Sequence, residues 1–427
     1  MHYASAKLRF CVLALVDCNS CFASCEAIFR PELRNQPVVV VSNNDGCIVA
    51  RNAPAKVLDI PDLVAFFQIK PYLEQHHVHV FSSNYELYGD ISSRIMSLLS
   101  GFCHELEVYS IDEAFLDLTG FDKLIDKGFE IKDAIWQQQR MPVCVGMAET
   151  KTLAKLANHI AKKSQKLNGV CVLDQINLWE NVFKKIPVNK VWGVGQRISS
   201  RLQLWNVNTV QDLRRQAPKR IRLEFGVTLE RTVRELNGEK CFDIETQPQP
   251  KKEIMCSRSF GTKVSSLAEL KESVASYAFR AANKLRKQNG LAQGISVMIQ
   301  TSRFHTNCYK NSASVGLPYA TNDSRVIIRF ALDLCERLFR SGYQYAKAGV
   351  CLYELSNRSY SQFDFFEPGQ LNKAFDLMSV IDKVNHKYGN GRVFLGAQGT
   401  HQRWQMIRRY KSPAYSTRFS DIPIIKL

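Results

Sequence analysis

The 427-residue chain has no apolar run near the ~18 consecutive residues that a membrane helix requires. The closest approach, residues 10–16, follows Lys7 and Arg9 in the manner of a short signal peptide, but Asp17 ends it. No repeat of solenoid period is visible, so stacked-repeat folds are set aside. The C-x-x-C of Cys18 and Cys21 has no second half with His or Cys at ligand spacing, and a zinc site is not expected. The thirteen cysteines are an odd number, and most stand singly in apolar runs such as Val143-Cys144-Val145. That is the pattern of reduced, buried thiols rather than of a disulfide framework. Charged residues make up only 23% against 45% hydrophobic, which excludes global disorder. A soluble, cytoplasmic protein of about three domains is expected.

The charge that is present is unbalanced. Lys and Arg total 57 against 40 acids, a net charge of +17. Such a surplus fits a polyanionic partner, because basic side chains release condensed counterions from nucleic acid.

Apolar patterning divides the chain. Residues 10–16 and 38–41 read as buried strands, with a helix over 20–33 between them that ends near Pro31. Strands follow at 108–111, 114–118 and 142–147. A helix over 150–163 carries Leu153, Leu156, Ala157 and Ile160 on one face and Lys151, Lys155, Lys162 and Lys163 on the other. Alternating strands and helices make this part an α/β or α+β unit. Within 186–235, Val191-Trp192-Gly193-Val194-Gly195 reads as a hairpin between short helical stretches. The backbone amides around Gly193 and Gly195 are suited to a DNA phosphate. A Pro- and Gln-rich linker over 243–252 precedes strand 254–260, helix 267–287 with Gly290 as its C-cap, strands 295–301 and 312–317, helix 324–341 and strand 348–355. That is the β-α-β-β-α-β order of a split βαβ module.

Three acids stand at the ends of apolar strands, where charge is otherwise unwelcome: Asp17, Asp112 and Glu113. Phosphoryl transfer to a growing strand uses divalent ions held by carboxylate oxygens. Neighbours on a regular strand point to opposite faces, so Asp112 and Glu113 serve one site only where the strand bends. Asp117 reads as an ordinary strand-end residue. Gln362-Phe363-Asp364-Phe365-Phe366 combines a Gln with apolar anchors amid Ser, Pro and Gly, the form of a groove-binding peptide.

Leu15-Val16-Asp17-Cys18-Asn19 with Phe22, Tyr109-Ser110-Ile111-Asp112-Glu113-Ala114-Phe115, and Val145-Gly146-Met147-Ala148 with its lysine-bearing helix resemble, in order and spacing, the motifs of Y-family DNA polymerases. Ser42-Asn43-Asn44-Asp45-Gly46-Cys47, Phe81-Ser82-Ser83-Asn84-Tyr85-Glu86-Leu87-Tyr88 and Cys256-Ser257-Arg258-Ser259-Phe260-Gly261 resemble its UmuC branch, the UmuC-type catalytic subunit of bacterial DNA polymerase V. The resemblance implies an α+β right-hand polymerase. Its palm would span 11–29 and 77–167, its fingers 30–76 and a helical thumb 168–242. A split-βαβ little finger over 243–355 and a clamp- and partner-binding region over 356–427 would follow, with 1–10 as an extension.

The resemblance implies error-prone synthesis past damaged bases, in DNA repair and the SOS response, by a two-metal mechanism. Asp17, Asp112, Glu113 and the Cys18 carbonyl would hold two Mg2+ ions, with Mn2+ as a substitute. Phe22 would be the ring that excludes the 2′-hydroxyl of a ribonucleotide. Lys56, Lys162 and Arg51 would hold the triphosphate. Arg258 would join Gly193 and Gly195 in contacting DNA, and Gln362, Phe363, Phe365 and Phe366 would bind a sliding clamp. The implied partners are primer–template DNA, deoxynucleoside triphosphates, the clamp, the processed UmuD dimer and the RecA recombinase. Three positions depart from the family: Asp59 and Leu63 stand where it has glycines, and Cys21 stands where an aromatic is common. The departures at Asp59 and Leu63 motivate a rival reading, a non-catalytic DNA-binding scaffold that recruits the clamp.

Overall fold

The computed structural model describes residues 11–247, 249–302, 308–358, 372–389 and 391–424. The extension 1–10 and the peptide of Gln362, Phe363, Phe365 and Phe366 lie outside the described residues. The chain forms two compact units, one of residues 1–42, 46–248 and 410–427, the other of 43–45 and 249–409.

The first unit opens with β1 (Leu13–Cys18), α1 (Cys21–Phe29), β2 (Val38–Val41) and β3 (Ile48–Arg51). Helices α2 (Ala53–Val57) and α3 (Phe66–Gln75) lead to β4 (His79–Ser82) and α4 (Tyr85–Leu99). There follow β5 (Leu106–Val108), β6 (Glu113–Asp117), α5 (Leu124–Gln139), β7 (Val143–Ala148), α6 (Lys151–Lys163) and β8 (Val170–Leu173). The helices α7 (Glu180–Phe183), α8 (Gln196–Gln203), α9 (Val210–Arg214), α10 (Pro218–Phe225) and α11 (Val227–Leu236) come next.

The central sheet has the order β5-β6-β1-β7-β8, and β1 runs antiparallel to both β6 and β7. Burial of β1 on both faces explains its unbroken apolar reading. Helix α6 is capped by the Thr150 side chain, which accepts from the Leu153 amide. It crosses β7 at Gly146, where a Cβ would lie 2.1 Å from the Asn158 nitrogen. Glycine is required there by close approach alone. A smaller sheet, β3-β2-β4, is built on the four valines of β2, all buried.

The expected strand over 108–111 is corrected. Strand β5 stops at Val108, and Tyr109 and Ser110 both donate their amides to the Glu113 carbonyl (3.1 Å each), closing a turn. The lysine-bearing face of α6 is partly covered. Lys151 is only 3% exposed and pairs with Glu107, while Lys155 pairs with Glu113. A helix wedged beside a sheet has little solvent face, so its lysines take carboxylate partners instead.

The second unit contains β9 (Ile254–Val264), α12 (Leu267–Lys287), β10 (Gly290–Thr301), β11 (Lys310–Thr321), α13 (Ser324–Leu338), β12 (Tyr345–Asn357) and α14 (Asn372–Tyr388). Its sheet order is β11-β10-β12-β9, fully antiparallel, with the expected β-α-β-β-α-β sequence. Leu270, Val274, Tyr277 and Ala281 of α12 join Ile295, Val297 and Val350 in the core. Arg258 is exposed, although regular alternation gives it the same strand face as buried Cys256 and Phe260. Gly290 is not the cap of α12. Gln288 caps the helix, Asn289 takes the left-handed conformation (φ 54), and Gly290 begins β10. A Cβ at Gly290 would stand 2.6 Å from Leu285 Cδ1, so this glycine serves close packing. Helix α13 also ends earlier than expected, at Leu338.

Candidate active site

The ends of two antiparallel strands bring the acids together. Asp17 is the cross-strand partner of Glu113, a register that sets their Cβ atoms roughly 5 Å apart. The Cys18 amide donates to the Asp112 carbonyl (2.8 Å), fixing the third acid beside the first. The turn at 109–112 supplies the bend that two consecutive acids require. Its organiser is Ser110, whose hydroxyl donates to Asp112 Oδ1 (2.6 Å) and accepts from the Glu113 amide (3.1 Å). Asp117, by contrast, accepts from the Thr119 amide as a strand-end residue does.

Asp17, Asp112, Cys18, Cys21, Phe22, Arg51, Lys56 and Lys162 line one cavity of about 300 Å³. Burial pushes the Asp17 carboxyl up to about 6, partly offset by the Lys162 ammonium 2.5 Å away and reinforced by Glu113. Lys155 holds Glu113 Oε2 at 2.8 Å, and its ammonium lies 4.2 Å from the centre of the Tyr109 ring. Among the described residues no three acidic, thiol or imidazole groups are already arranged around a common metal position. Here the reason is visible, since ammonium groups take up oxygens of Asp17 and Glu113. The donor chemistry itself, hard carboxylate oxygens gathered at one cavity and matched by positive charge, fits divalent cations.

The basic side of the cavity is built by β3, α2 and α6. Lys56 Nζ donates to Ser20 Oγ (3.0 Å), and its pKa is lowered by burial and by the neighbouring Arg51 and Lys162 charges. Arg51 is braced by the Ile60 carbonyl and by Asp62 at 3.4 Å. Asp59 and Leu63 both adopt left-handed backbone (φ 51 and 57). This loop therefore takes the conformation that glycine would supply, but with side chains in place.

Phe22 is half-buried and does not pair with Phe29. It stacks on the buried Tyr88 ring (4.7 Å, 17°), with Tyr85 edge-on at 5.9 Å. Gly193 (φ 84) turns the 191–195 hairpin, and Gly195 is the N-cap of α8. Only a single 3₁₀ turn (Val188–Lys190) precedes that hairpin, where a helical stretch was expected, and Trp192 donates from its indole to the Tyr109 hydroxyl (3.1 Å). Ser110 and Lys155 were not singled out for the site by sequence reasoning. The signals available were a Ser two positions before the acid and a Lys one turn into α6. No helix among the described residues is long and apolar enough to cross a membrane.

Residues 16–159 match the impB/mucB/samB family, and residues 251–365 match the C-terminal domain of that family. Residues 376–425 match a domain of unknown function (DUF4113). The chain is 44% identical to the protein UmuC of Salmonella typhimurium over 97% of its own length and 100% of that protein's. It is 40% identical to MucB of Escherichia coli, covering 97% and 99% of the two chains. A DNA polymerase IV of Bacillus anthracis is 25% identical across 91% of this chain and 93% of that one. Among solved structures, a Y-family DNA polymerase chimera aligns with a TM-score of 0.64 at 20% identity, covering 81% of this chain and 99% of the chimera. The fold is therefore that of a Y-family polymerase, and the chain belongs to the impB/mucB/samB family of UmuC-type proteins.

Proposed function

We propose that Asp17, Asp112 and Glu113 are the carboxylates through which this chain, a translesion DNA polymerase, joins deoxynucleotides to a primer end. The observation that carries the reading is the cross-strand pairing of Asp17 with Glu113, with Asp112 on the adjoining turn. These acids and the Cys18 carbonyl would hold two Mg2+ ions, or Mn2+ in their place. Bound there, the ions would acidify the primer hydroxyl and neutralise the triphosphate and its leaving group. Lys56, Lys162 and Arg51, on the basic side of the cavity, would orient the triphosphate. Their positive charges also compensate the anion before it arrives, so little reorganisation accompanies reaction. Phe22 would lie beneath the incoming sugar and reject a 2′-hydroxyl.

The domain reading follows from the same alignment of parts. The palm would hold β1, α1, β4–β7 and α4–α6, the fingers β2, β3, α2 and α3, the thumb (168–242) β8 and α7–α11, and the little finger would span 243–355. Arg258, exposed on β9, would contact the DNA backbone together with Gly193 and Gly195 of the hairpin. A processed UmuD dimer, a RecA filament and a sliding clamp are the proposed partners, the last through Gln362, Phe363, Phe365 and Phe366. The cytoplasm is the proposed compartment.

Primer extension across an abasic site tests the mechanism. Asp112→Ala/Glu113→Ala should lose at least about 10³-fold in rate while still binding primer–template, since positioning and charge stabilisation supply most of the catalysis in phosphoryl transfer. Full Mg2+-dependent synthesis by that variant would remove the assignment. It would leave the rival reading, a DNA-binding scaffold, which retention of all three carboxylates and Phe22 disfavours.

A further inference from the structure

The domain of unknown function that ends the chain returns to the first unit, and its contacts there converge on the element that bears Phe22. Tyr410 exchanges hydrogen bonds with Ser82: its carbonyl accepts from the Ser82 amide (3.0 Å) and its amide donates to Ser82 Oγ (2.9 Å). Asn84 Nδ2 donates to both the carbonyl and the hydroxyl of Ser412 (3.0 Å each). The Ser412 hydroxyl donates in turn to Glu26 Oε1 at 3.0 Å, across 386 positions of sequence. The Tyr88 hydroxyl donates to the same oxygen at 2.6 Å. Beyond it, the Tyr415 ring stacks on Phe29 (4.8 Å, 16°).

Phe22, Glu26 and Phe29 occupy one face of α1 at helical spacing. Two of the three are engaged by the C-terminal segment, and the third lies on the Tyr88 ring that Glu26 anchors. Tyr88 and Glu26 are fully buried and Ser412 is 7% exposed, so water does not compete for these bonds. A buried carboxylate that accepts two hydroxyls on one oxygen, its other oxygen without a partner among the described residues, is a costly arrangement to keep for packing alone.

We infer that residues 410–415 are a positioning element of the sugar gate: Ser412, through Glu26, fixes the Tyr88 ring on which Phe22 rests. The strictness with which ribonucleotides are refused is then set partly from the far end of the chain. This rests on the reading of Phe22 as the gate. Refusal of a 2′-hydroxyl requires a ring that does not yield, and the ring's stiffness comes from what lies beneath it. Loosening Tyr88 lets Phe22 slide, which admits the ribose while leaving deoxynucleotide insertion nearly untouched. Selectivity is a difference between two substrates, so effects common to both cancel in the ratio.

The experiment is single-nucleotide insertion by the full chain, with kcat/KM measured for a deoxynucleotide and its ribonucleotide. The ratio is read a second time, without turnover, from nucleotide binding to the primer–template complex in Ca2+. Ser412→Ala should lower the deoxy-to-ribo ratio about three- to tenfold, and Tyr88→Phe about tenfold. The double variant should add little, because both changes cut the same connection. Phe22→Ala is the control and should collapse the ratio. If Phe22→Ala leaves selectivity intact, the gate reading fails and this inference with it. If Phe22→Ala collapses selectivity while Ser412→Ala and Tyr88→Phe keep the wild-type ratio, the gate stands and the inference is overturned. An equal loss for both sugars also overturns it, because that is the signature of a merely structural contact.

Discussion

Gly146→Ala is a sharp test of how the proposed catalytic groups are placed. A Cβ there would stand 2.1 Å from the Asn158 nitrogen and 2.5 Å from the Ala154 carbonyl oxygen, both backbone atoms of α6. Ordinary contact begins near 3.4 Å, so helix and strand must part by about 1.3 Å. That separation stretches the bonds from Asn158 Nδ2 to the carbonyls of Leu15 (3.2 Å) and Cys144 (2.8 Å), which tie α6 to β1 and β7. Overpacking of about 1–3 kcal/mol plus two weakened buried hydrogen bonds of about 1 kcal/mol each gives a loss near 3–5 kcal/mol. For a unit of this size the expected fall in Tm is roughly 6–20 °C. The same shift moves Lys155 and Lys162 away from Glu113 and Asp17, and a misplacement near 1 Å costs about 100-fold in rate. Calorimetry and primer extension at a temperature where the variant is folded separate the two effects. Gly316→Ala, at a site with no atom within 4 Å of the added Cβ, is the control and should change neither. A Gly146→Ala protein as stable and as active as the parent would refute this account of how α6 seats against β7.

Further outcomes follow from the site and its surroundings. Because burial raises Asp17 to about 6, its charged form is disfavoured in the metal-free fold. Its contribution to stability is full below the unfolded value near 3.8 and is lost as pH rises through 6. Bound metal reverses the preference, so the Mg2+ concentration for half-activation should climb up to about tenfold per pH unit below 6; a flat dependence between pH 5 and 7 would contradict the assignment. Lys162→Ala should raise the nucleotide KM at least about tenfold with a smaller effect on kcat, read in steady-state insertion. Glu26 is likewise raised by burial, against the hydroxyls of Tyr88 and Ser412 and the Arg30 charge, which lower it. Stability should therefore decline as pH rises through its folded value, and Glu26→Gln should flatten that decline in thermal melts at pH 5 and pH 8. Leu63 is exposed and left-handed, so Leu63→Gly should leave stability unchanged or raise it by about 1 kcal/mol, whereas Leu63→Val should lower it. Denaturant titration decides, and a loss above about 1 kcal/mol for the glycine variant would show that the loop is held by its side chain.

Much of the molecule was legible in the order of its residues because the governing interactions are short-ranged or periodic. An apolar strand ending in Asp17, the turn before Glu113, the stripe of Leu153, Leu156, Ala157 and Ile160, and the alternation of the second unit are all local patterns. Each follows from the two- and 3.6-residue periods of backbone geometry. What local patterning misread has a common cause, since charge and backbone strain are decided by neighbours remote in sequence. Lys151 and Lys155 read only as part of the lysine-bearing face of a helix, and the fold alone brings Glu107 and Glu113 to meet them. Asp59 and Leu63 read as a departure from a glycine turn, yet the fold imposes the left-handed conformation on them.

The apolar strand that ends at Asp17 and the three acids were thus legible from residue type and spacing, while Phe22 was singled out by its resemblance to the Y-family motif. Tertiary structure alone decided that Asp17 faces Glu113 across a register, that Phe22 lies on Tyr88, and that Ser412 reaches Glu26. The physical reason is that a hydrogen bond or a stacked ring depends on separations of a few ångströms, which chain order does not encode when tens to hundreds of residues intervene.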